Sequence, residues 1–112
     1  MTDFLFDGPL TADKTVVLAH GAGAAMDSEF MDFFAAGLAE HDLRVARFEF
    51  PYMIKHREDG KRRPPDRARV LRETYLDIAV ELGPEHLIVG GKSMGGRIAS
   101  MIADEAGVAG LV

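Results

Sequence analysis

Short apolar runs alternate with longer stretches of helical period along the chain. The runs at residues 15–20 (TVVLAH), 43–50 (LRVARFEF) and 86–91 (HLIVGG) are rich in β-branched and other apolar residues, as buried strands are. The last residues, 108–112 (VAGLV), begin another such run. Strands that alternate with helices form βα units, so the pattern predicts an α/β fold, a three-layer sandwich around a mostly parallel sheet.

Three stretches have the three- and four-residue apolar spacing of amphipathic helices. The first follows a cap at Asp27 or Ser28, the second runs from about Asp66 to Leu82, and the third is residues 95–107. The apolar positions expected to face the sheet are Phe30, Phe33, Phe34 and Leu38 in the first helix, Val70, Leu71, Tyr75, Ile78 and Leu82 in the second, and Ile98, Met101, Ile102 and Ala106 in the third.

The composition fits one globular domain over residues 1–112. Hydrophobic residues make up 47% and charged residues 28%, as in ordinary soluble proteins. No run approaches the ~18 apolar residues that cross a membrane, and the N-terminus lacks the cationic start and apolar stretch of a secretory signal. The absence of cysteine excludes disulfides and thiolate chemistry. We therefore expect a cytoplasmic protein with no membrane partner.

The charge is unevenly distributed. The formal net charge is −5, yet eight of the 13 Lys and Arg residues lie between Lys55 and Arg72. The part from Tyr52 to about Pro65 is polar and interrupted by Gly60, which predicts a loop or lid. A cationic loop on an acidic body either is a solvated surface or attracts an anionic ligand or nucleic acid. We favour the solvated surface and do not expect a nucleic-acid partner.

The chemistry that the sequence suggests centres on Ser93. Residues 91–95, GKSMG, fit the pattern G-x-S-x-G, which is informative when a strand precedes it and a helix follows it, as predicted here. Such a turn strains the serine backbone, and Gly91 and Gly95 avoid collisions with the neighbouring chain. The helix that follows directs free N–H groups at the same point. Ser93 is therefore the candidate nucleophile, and the N–H of Met94 is a candidate donor to an oxyanion.

A second oxyanion donor is predicted in the sequence HGAG, residues 20–23, which ends an earlier strand of the same sheet. Gly21 and Gly23 let the backbone turn its amides toward the serine. The N–H of Ala22 is the first candidate and that of Gly21 the second. His20 either holds this loop by hydrogen bonding or acts as a base, and we favour the structural role.

The sequence GGKS has two interpretations other than a nucleophile turn: a phosphate-binding loop and a simple turn. The phosphate loop, G-x-x-x-x-G-K-[ST], needs glycine at His86 and a loop at residues 87–89, where the chain is apolar. The apolar residues disfavour it. Lys92 is then the variable position before the serine and is expected to face solvent. No spacing of metal ligands occurs.

The segments VVLAHGAGA, RFEFPYM and GGKSMGGRIAS resemble the α/β-hydrolase superfamily. Within it they resemble a small branch of predicted hydrolases, related to dienelactone-hydrolase-like proteins, which includes testis-expressed and chromatin-complex subunit proteins of vertebrates. The resemblance spans nearly the whole chain but about the first half of the superfamily's fold. It implies Ser93 as nucleophile and the amides of Met94 and Ala22 as oxyanion donors. It also implies a small-molecule acyl substrate and an acyl-serine mechanism without a cofactor.

The acid and the histidine of a catalytic triad follow the serine in this superfamily. After Ser93 the chain has as acids only Asp104 and Glu105, about three turns down the predicted helix, and it has no histidine. The remaining histidines are assigned surface or packing roles: His41, His56 and His86. The sequence thus predicts a fold that is truncated within its last strand, prone to self-association through an open sheet edge, and nearly inactive as these residues alone.

The predicted function of the complete fold is hydrolysis of an ester or related acyl bond. The alternative is a non-catalytic α/β-hydrolase-like protein that keeps the fold for packing or for association with other proteins. A fluorophosphonate probe distinguishes the two, because labelling needs an activated serine.

Overall fold

The computed structural model describes residues 2–112. In that range the elements follow one another as β1 (Leu5–Asp7), β2 (Thr15–Ala19), α1 (Glu29–Ala39), β3 (Arg44–Phe48), α2 (Pro51–Asp59), α3 (Ala68–Leu82), β4 (Leu87–Gly91), α4 (Met94–Ala106) and β5 (Gly110–Leu111). A 3₁₀ turn at Pro84–His86 joins α3 to β4. The strands predicted at residues 15–20, 43–50 and 86–91 are confirmed, each slightly shorter than expected.

The strands form one sheet in the order β1-β3-β2-β4-β5. The strands β2, β3, β4 and β5 are parallel, and β1 runs antiparallel to β3. Ala19 pairs with Phe48 on one side and with Gly91 on the other, so three strands end at the same edge of the sheet. The carboxyl edge of a parallel sheet is where ligands bind in α/β folds. The turns after β2 and β4 both begin there.

Helices cover both faces of the sheet, as the predicted three-layer sandwich requires. On β2, Val17 and Ala19 pack into a core with α3 and α4, while Val16 and Leu18 pack on the opposite face with Met31 of α1. Successive residues of a strand point to opposite faces, so a run that is apolar throughout is buried on both sides. The α/β fold class is therefore confirmed.

The apolar face assigned to α1 is wrong at its three phenylalanines and right at Leu38, which packs against the core. Met31 and Ala35 face the sheet and are buried, whereas Phe33 is 82% exposed and Phe30 and Phe34 are partly exposed. Met31 and Ala35 form, together with the predicted Leu38, the stripe of helical spacing that packs on the sheet. The small alanine lets the helix approach the sheet closely. The predicted cap at Ser28 is present, because its Oγ accepts a hydrogen bond from the N–H of Met31 at 3.3 Å.

The loop predicted after β3 is also wrong over its first half, because α2 occupies it. Pro51 stands at the first helical position, where a missing N–H costs nothing, and Gly60 ends the helix with φ 73°. Asp66 does not begin α3. Its carboxylate instead accepts a hydrogen bond from the N–H of Tyr52, in the first turn of α2, at 3.0 Å. Two residues expected to face the sheet are exposed: Val70 on α3 and Met101 on α4.

Two classes of feature are not found in residues 2–112. None of the described helices is long and apolar enough to cross a membrane. No group of three or more His, Asp or Glu side chains within the same range is placed to hold a metal ion.

Candidate active site

Ser93 lies in the turn between β4 and α4. Its backbone has φ 54° and ψ −111°, outside the regions that residues with a side chain normally occupy. Such a conformation costs roughly 1–3 kcal/mol and persists only where the surrounding structure enforces it. The residue is exposed, and its side chain makes no capping hydrogen bond to the helix. The turn therefore presents a serine hydroxyl at the carboxyl edge of the sheet.

Three glycines allow the chain to turn this tightly. A methyl group on Gly91 or on Gly95 would lie 2.6 Å from the carbonyl oxygen of Ala19, and the one on Gly95 would also meet the carbonyl oxygen of His20. A methyl group on Gly96 would lie 2.7 Å from the carbonyl oxygen of Gly91. Backbone atoms cannot rotate away, so the turn requires glycine at all three positions. The pattern G-x-S-x-G contains the first two glycines and omits the third.

The loop after β2, residues 20–23, packs directly against this turn. The N–H of Lys92 donates a hydrogen bond to the carbonyl oxygen of Ala19 at 3.0 Å. A methyl group on Gly21 would lie 3.4 Å from the carbonyl oxygen of Lys92. The backbones of the two loops are thus in contact, and the two motifs that the sequence singled out are neighbours at the turn that carries Ser93.

His20 is fully buried, and both of its ring nitrogens are engaged. Nδ1 lies 2.7 Å from the carbonyl oxygen of Gly21, and Nε2 lies 3.1 Å from the backbone nitrogen of Phe50. A carbonyl oxygen only accepts and an amide N–H only donates, so the ring is neutral and carries its proton on Nδ1. Burial lowers the pKa of His20 below its usual 6.5, which favours this neutral form. Neither nitrogen is left to take a proton from Ser93.

The hydrogen bond from His20 sets the direction of one peptide group. In a trans peptide the C=O and the N–H that follows it point in opposite directions. The carbonyl of Gly21 points at the buried His20 ring, so the N–H of Ala22 points away from it. Ala22 is itself exposed. His20 therefore orients the amide that the sequence analysis named as the first oxyanion candidate in this loop.

Side chains from β3 and α2 hold the rest of the loop. The hydroxyl of Tyr52 donates a hydrogen bond to the carbonyl oxygen of Ala22 at 2.9 Å. Burial raises the pKa of Tyr52 to about 12, so this donor keeps its proton at neutral pH. The carboxylate of Glu49, only 4% exposed, accepts hydrogen bonds from the N–H of Met26 at 3.2 Å and from Arg57 at 2.6 Å. The chain after β2 is thus anchored at Ala22 and again at Met26.

A cleft of about 130 Å³ opens between this loop and the cationic segment, which is the lysine- and arginine-rich stretch from Lys55 to Arg72. Its lining residues are Ala22, Gly23, Ala25, Tyr52, Met53, His56, Arg62 and Arg63. The cleft was not predicted because α2 was not predicted, and His56 was expected to have an ordinary surface or packing role. The concentration of arginine near residue 62 was the sequence feature that could have indicated this cleft.

Lys92 was expected to face solvent, but its side chain does not extend freely into it. Its ammonium nitrogen lies 5.0 Å from the centre of the Phe30 ring on α1, which is within the range of a cation–π interaction. The side chain thus packs against an aromatic that the sequence analysis had placed in the core.

The comparison of the sequence with known families gives a match to an alpha/beta hydrolase domain over residues 12–112. The matched range contains the loop at 20–23, the turn at Ser93 and every strand after β1. The comparison with curated proteins found no match. The family match agrees with the sheet order and with the superfamily predicted from the motifs, and it does not distinguish the branches of that superfamily. The chain belongs to the alpha/beta hydrolase domain family.

Proposed function

We propose that the chain carries the nucleophile, Ser93, of a serine hydrolase that acts on an ester or related acyl bond. The observation that carries the proposal is the strained backbone of Ser93, with φ 54°, which three glycines make possible. A strained turn lowers stability, and proteins concentrate such strain at functional sites. Here the strain lifts an exposed hydroxyl out of the sheet at the start of a helix.

Backbone amides of Met94 and of the loop at 20–23 support an oxyanion hole. Met94 is the first residue of α4, so its N–H has no partner within the helix and lies at the positive end of the helix dipole. The N–H of Ala22 points away from His20, as derived above. We assign these two amides as the donors, with Gly21 as the alternative to Ala22. Each donor of this kind typically contributes about 10² to 10³ in turnover.

In the proposed reaction, Oγ of Ser93 bonds to the acyl carbon while a general base takes its proton, and the carbonyl oxygen becomes negative. The bond to the leaving group then breaks, and the departing alcohol takes up the proton. Water adds to the acyl-serine, and release of the carboxylic acid restores the hydroxyl. The base is not His20, because both of its ring nitrogens are bonded within the fold.

Labelling with a fluorophosphonate tests the proposal in the full-length protein. The probe forms a bond between phosphorus and Oγ and loses fluoride, and it does so rapidly only where a serine is activated. We expect one labelled site in the wild type and none in Ser93→Ala, read by intact mass.

The matched control is Ser100→Ala. Ser100 lies on the exposed side of α4, and its hydroxyl bonds to the carbonyl oxygen of Arg97 in the same helix. This variant should label at the wild-type rate. Equal labelling of wild type and Ser93→Ala would remove Ser93 from the mechanism. A folded wild type that resists the probe would instead favour a non-catalytic member of the family.

A further inference from the structure

We propose that the cleft beside the loop at 20–23 binds a small anionic group of the substrate, and that Arg62 is its main partner. The claim that the occupant is a substrate rests on the proposed function. The binding itself depends on the cleft alone. Three features of the cleft favour such a ligand: the charge of its lining, its apolar lining residues and its connection to the loop.

Every charged residue that lines the cleft is an arginine. Arg63 is already engaged, because it forms a salt bridge with Asp59 in which Nη1 lies 2.9 Å from Oδ1. Arg62 is exposed, and within residues 2–112 it has no carboxylate at salt-bridge distance. The cleft therefore carries an uncompensated guanidinium, a group that pairs well with carboxylates and phosphates.

Two carboxylates near the loop, those of Asp27 and Glu49, are bound to another arginine. Arg57 donates to Asp27 at 2.9 Å and to Glu49 at 2.6 Å, both from Nη2. The hydrogen bonds from Arg57 lower the pKa of Asp27, so that carboxylate stays ionised and paired. Of the two arginines that line the cleft, Arg62 is the one without a salt bridge among the described residues.

A polar atom of the lining also lacks a partner. Nδ1 of His56 is buried and has no hydrogen-bond partner within the described part of the chain. A buried polar atom without a partner lowers stability. A ligand or an ordered water in the cleft would relieve that cost, and His56 lines the cleft together with Arg62.

The lining also includes three apolar residues, Ala22, Ala25 and Met53. A volume of about 130 Å³ lies well below the roughly 300–1,000 Å³ of pockets for drug-sized ligands. The cleft therefore suits a short chain that ends in an anion. Ala22, whose amide is the proposed oxyanion donor, is itself a lining residue, and this residue connects the cleft to the loop at 20–23.

Titration by NMR tests the inference without requiring turnover. Butyrate, inorganic phosphate and the neutral amide butyramide are each added to ¹⁵N-labelled full-length protein at low salt. We expect an anion to shift the amide signals of Ala22, Gly23 and Ala25, and butyramide to leave them in place. Arg62→Gln should weaken binding and raise the dissociation constant at least about 5-fold, which corresponds to roughly 1 kcal/mol. Whichever of butyrate and inorganic phosphate binds more tightly identifies a carboxylate or a phosphate as the occupant.

The control is Arg69→Gln. Arg69 belongs to the same cationic segment but pairs with Glu73 on the exposed side of α3, so its loss should not affect the titration. Equal weakening by both variants, or no anion binding at these amides, overturns the inference. If the fluorophosphonate labels Ser93 and no anion binds, this inference alone fails. If an anion binds and Ser93 stays unlabelled, the hydrolase proposal fails and the cleft stands as an anion site.

Discussion

Tyr52 donates a hydrogen bond from its phenolic oxygen to the carbonyl oxygen of Ala22, 2.9 Å away. The bond ties the first turn of α2 to the loop after β2. Tyr52 is itself held by Asp66, which accepts a hydrogen bond from its N–H at 3.0 Å. A helix that the sequence did not predict thus positions the loop whose amide is the proposed oxyanion donor.

Removing this hydroxyl should slow the reaction at Ser93. We expect Tyr52→Phe to lower the free energy of unfolding by about 0.5–1.5 kcal/mol, the usual net contribution of one hydrogen bond. A loosened loop should also reduce the rate of fluorophosphonate labelling by roughly 3- to 10-fold, because the oxyanion donor is less well placed. Labelling is measured under conditions in which both the wild type and Tyr52→Phe are fully folded. An unchanged rate would limit Tyr52 to a role in stability.

The contact between the two loops predicts a large cost for one added methyl group. In Gly95→Ala the new methyl would meet the carbonyl oxygens of Ala19 and His20. We expect the free energy of unfolding to fall by about 3 kcal/mol or more, the upper end of overpacking costs. Urea unfolding followed by circular dichroism measures the change.

Gly37→Ala is the matched control for this substitution. Gly37 lies inside α1, and a methyl group there meets no other part of the described chain within 4 Å. Alanine favours a helix over glycine by about 1 kcal/mol, so this variant should be more stable than wild type. Should Gly95→Ala prove as stable as Gly37→Ala, the loops would not be in rigid contact.

The orientation of α1 is testable by two substitutions two residues apart. Met31 is 1% exposed and packs against the sheet, whereas Phe33 is 82% exposed. Met31→Ala should cost about 2–5 kcal/mol of stability, and Phe33→Ala should change it by less than about 0.5 kcal/mol. Urea midpoints of the two variants give the comparison. The reverse ranking would mean that the predicted phenylalanine stripe faces the sheet after all.

The central strands and the turn at Ser93 could be predicted because their signals are local. A strand buried on both faces must be apolar throughout, as residues 87–89 are, and a turn without room for a side chain must carry glycine. The cap at Ser28 is a similarly local signal. Such constraints act on a few neighbouring residues, so the sequence states them directly.

Features that depend on distant contacts could not be predicted in the same way. The sequence of α1 offers two apolar stripes, and the shape of the sheet surface decides that Met31 rather than Phe33 is buried. The helix α2 lacks an apolar stripe, and its signals were Pro51 at the start and Gly60 at the end. Its N-terminus is bound by Asp66, which lies beyond a loop. The cleft follows from α2 and was therefore missed with it.

The buried neutral ring of His20 predicts how stability depends on pH. Burial lowers the pKa of His20 in the folded state below the 6.5 of an unfolded chain. Below about pH 6.5 the unfolded state therefore binds a proton that the folded state does not, and stability falls as the pH drops toward the folded-state pKa. One such group contributes at most about 1.4 kcal/mol per pH unit. Asp27 and Asp59 have pKa values below their usual 3.8, so their effects lie at lower pH.

We expect the free energy of unfolding of the wild type, measured in urea at pH 7.5, 6.5 and 5.5, to decrease across this series. In His20→Gln the amide oxygen can still accept the hydrogen bond from Phe50 but does not titrate, so the variant should be less stable at pH 7.5 and should lose less stability on acidification. Should that variant fail to fold, the ring protons of His20 in the wild type report its pKa by NMR. A midpoint at or above 6.5 would contradict the buried neutral ring and with it the fixed orientation of the Ala22 amide.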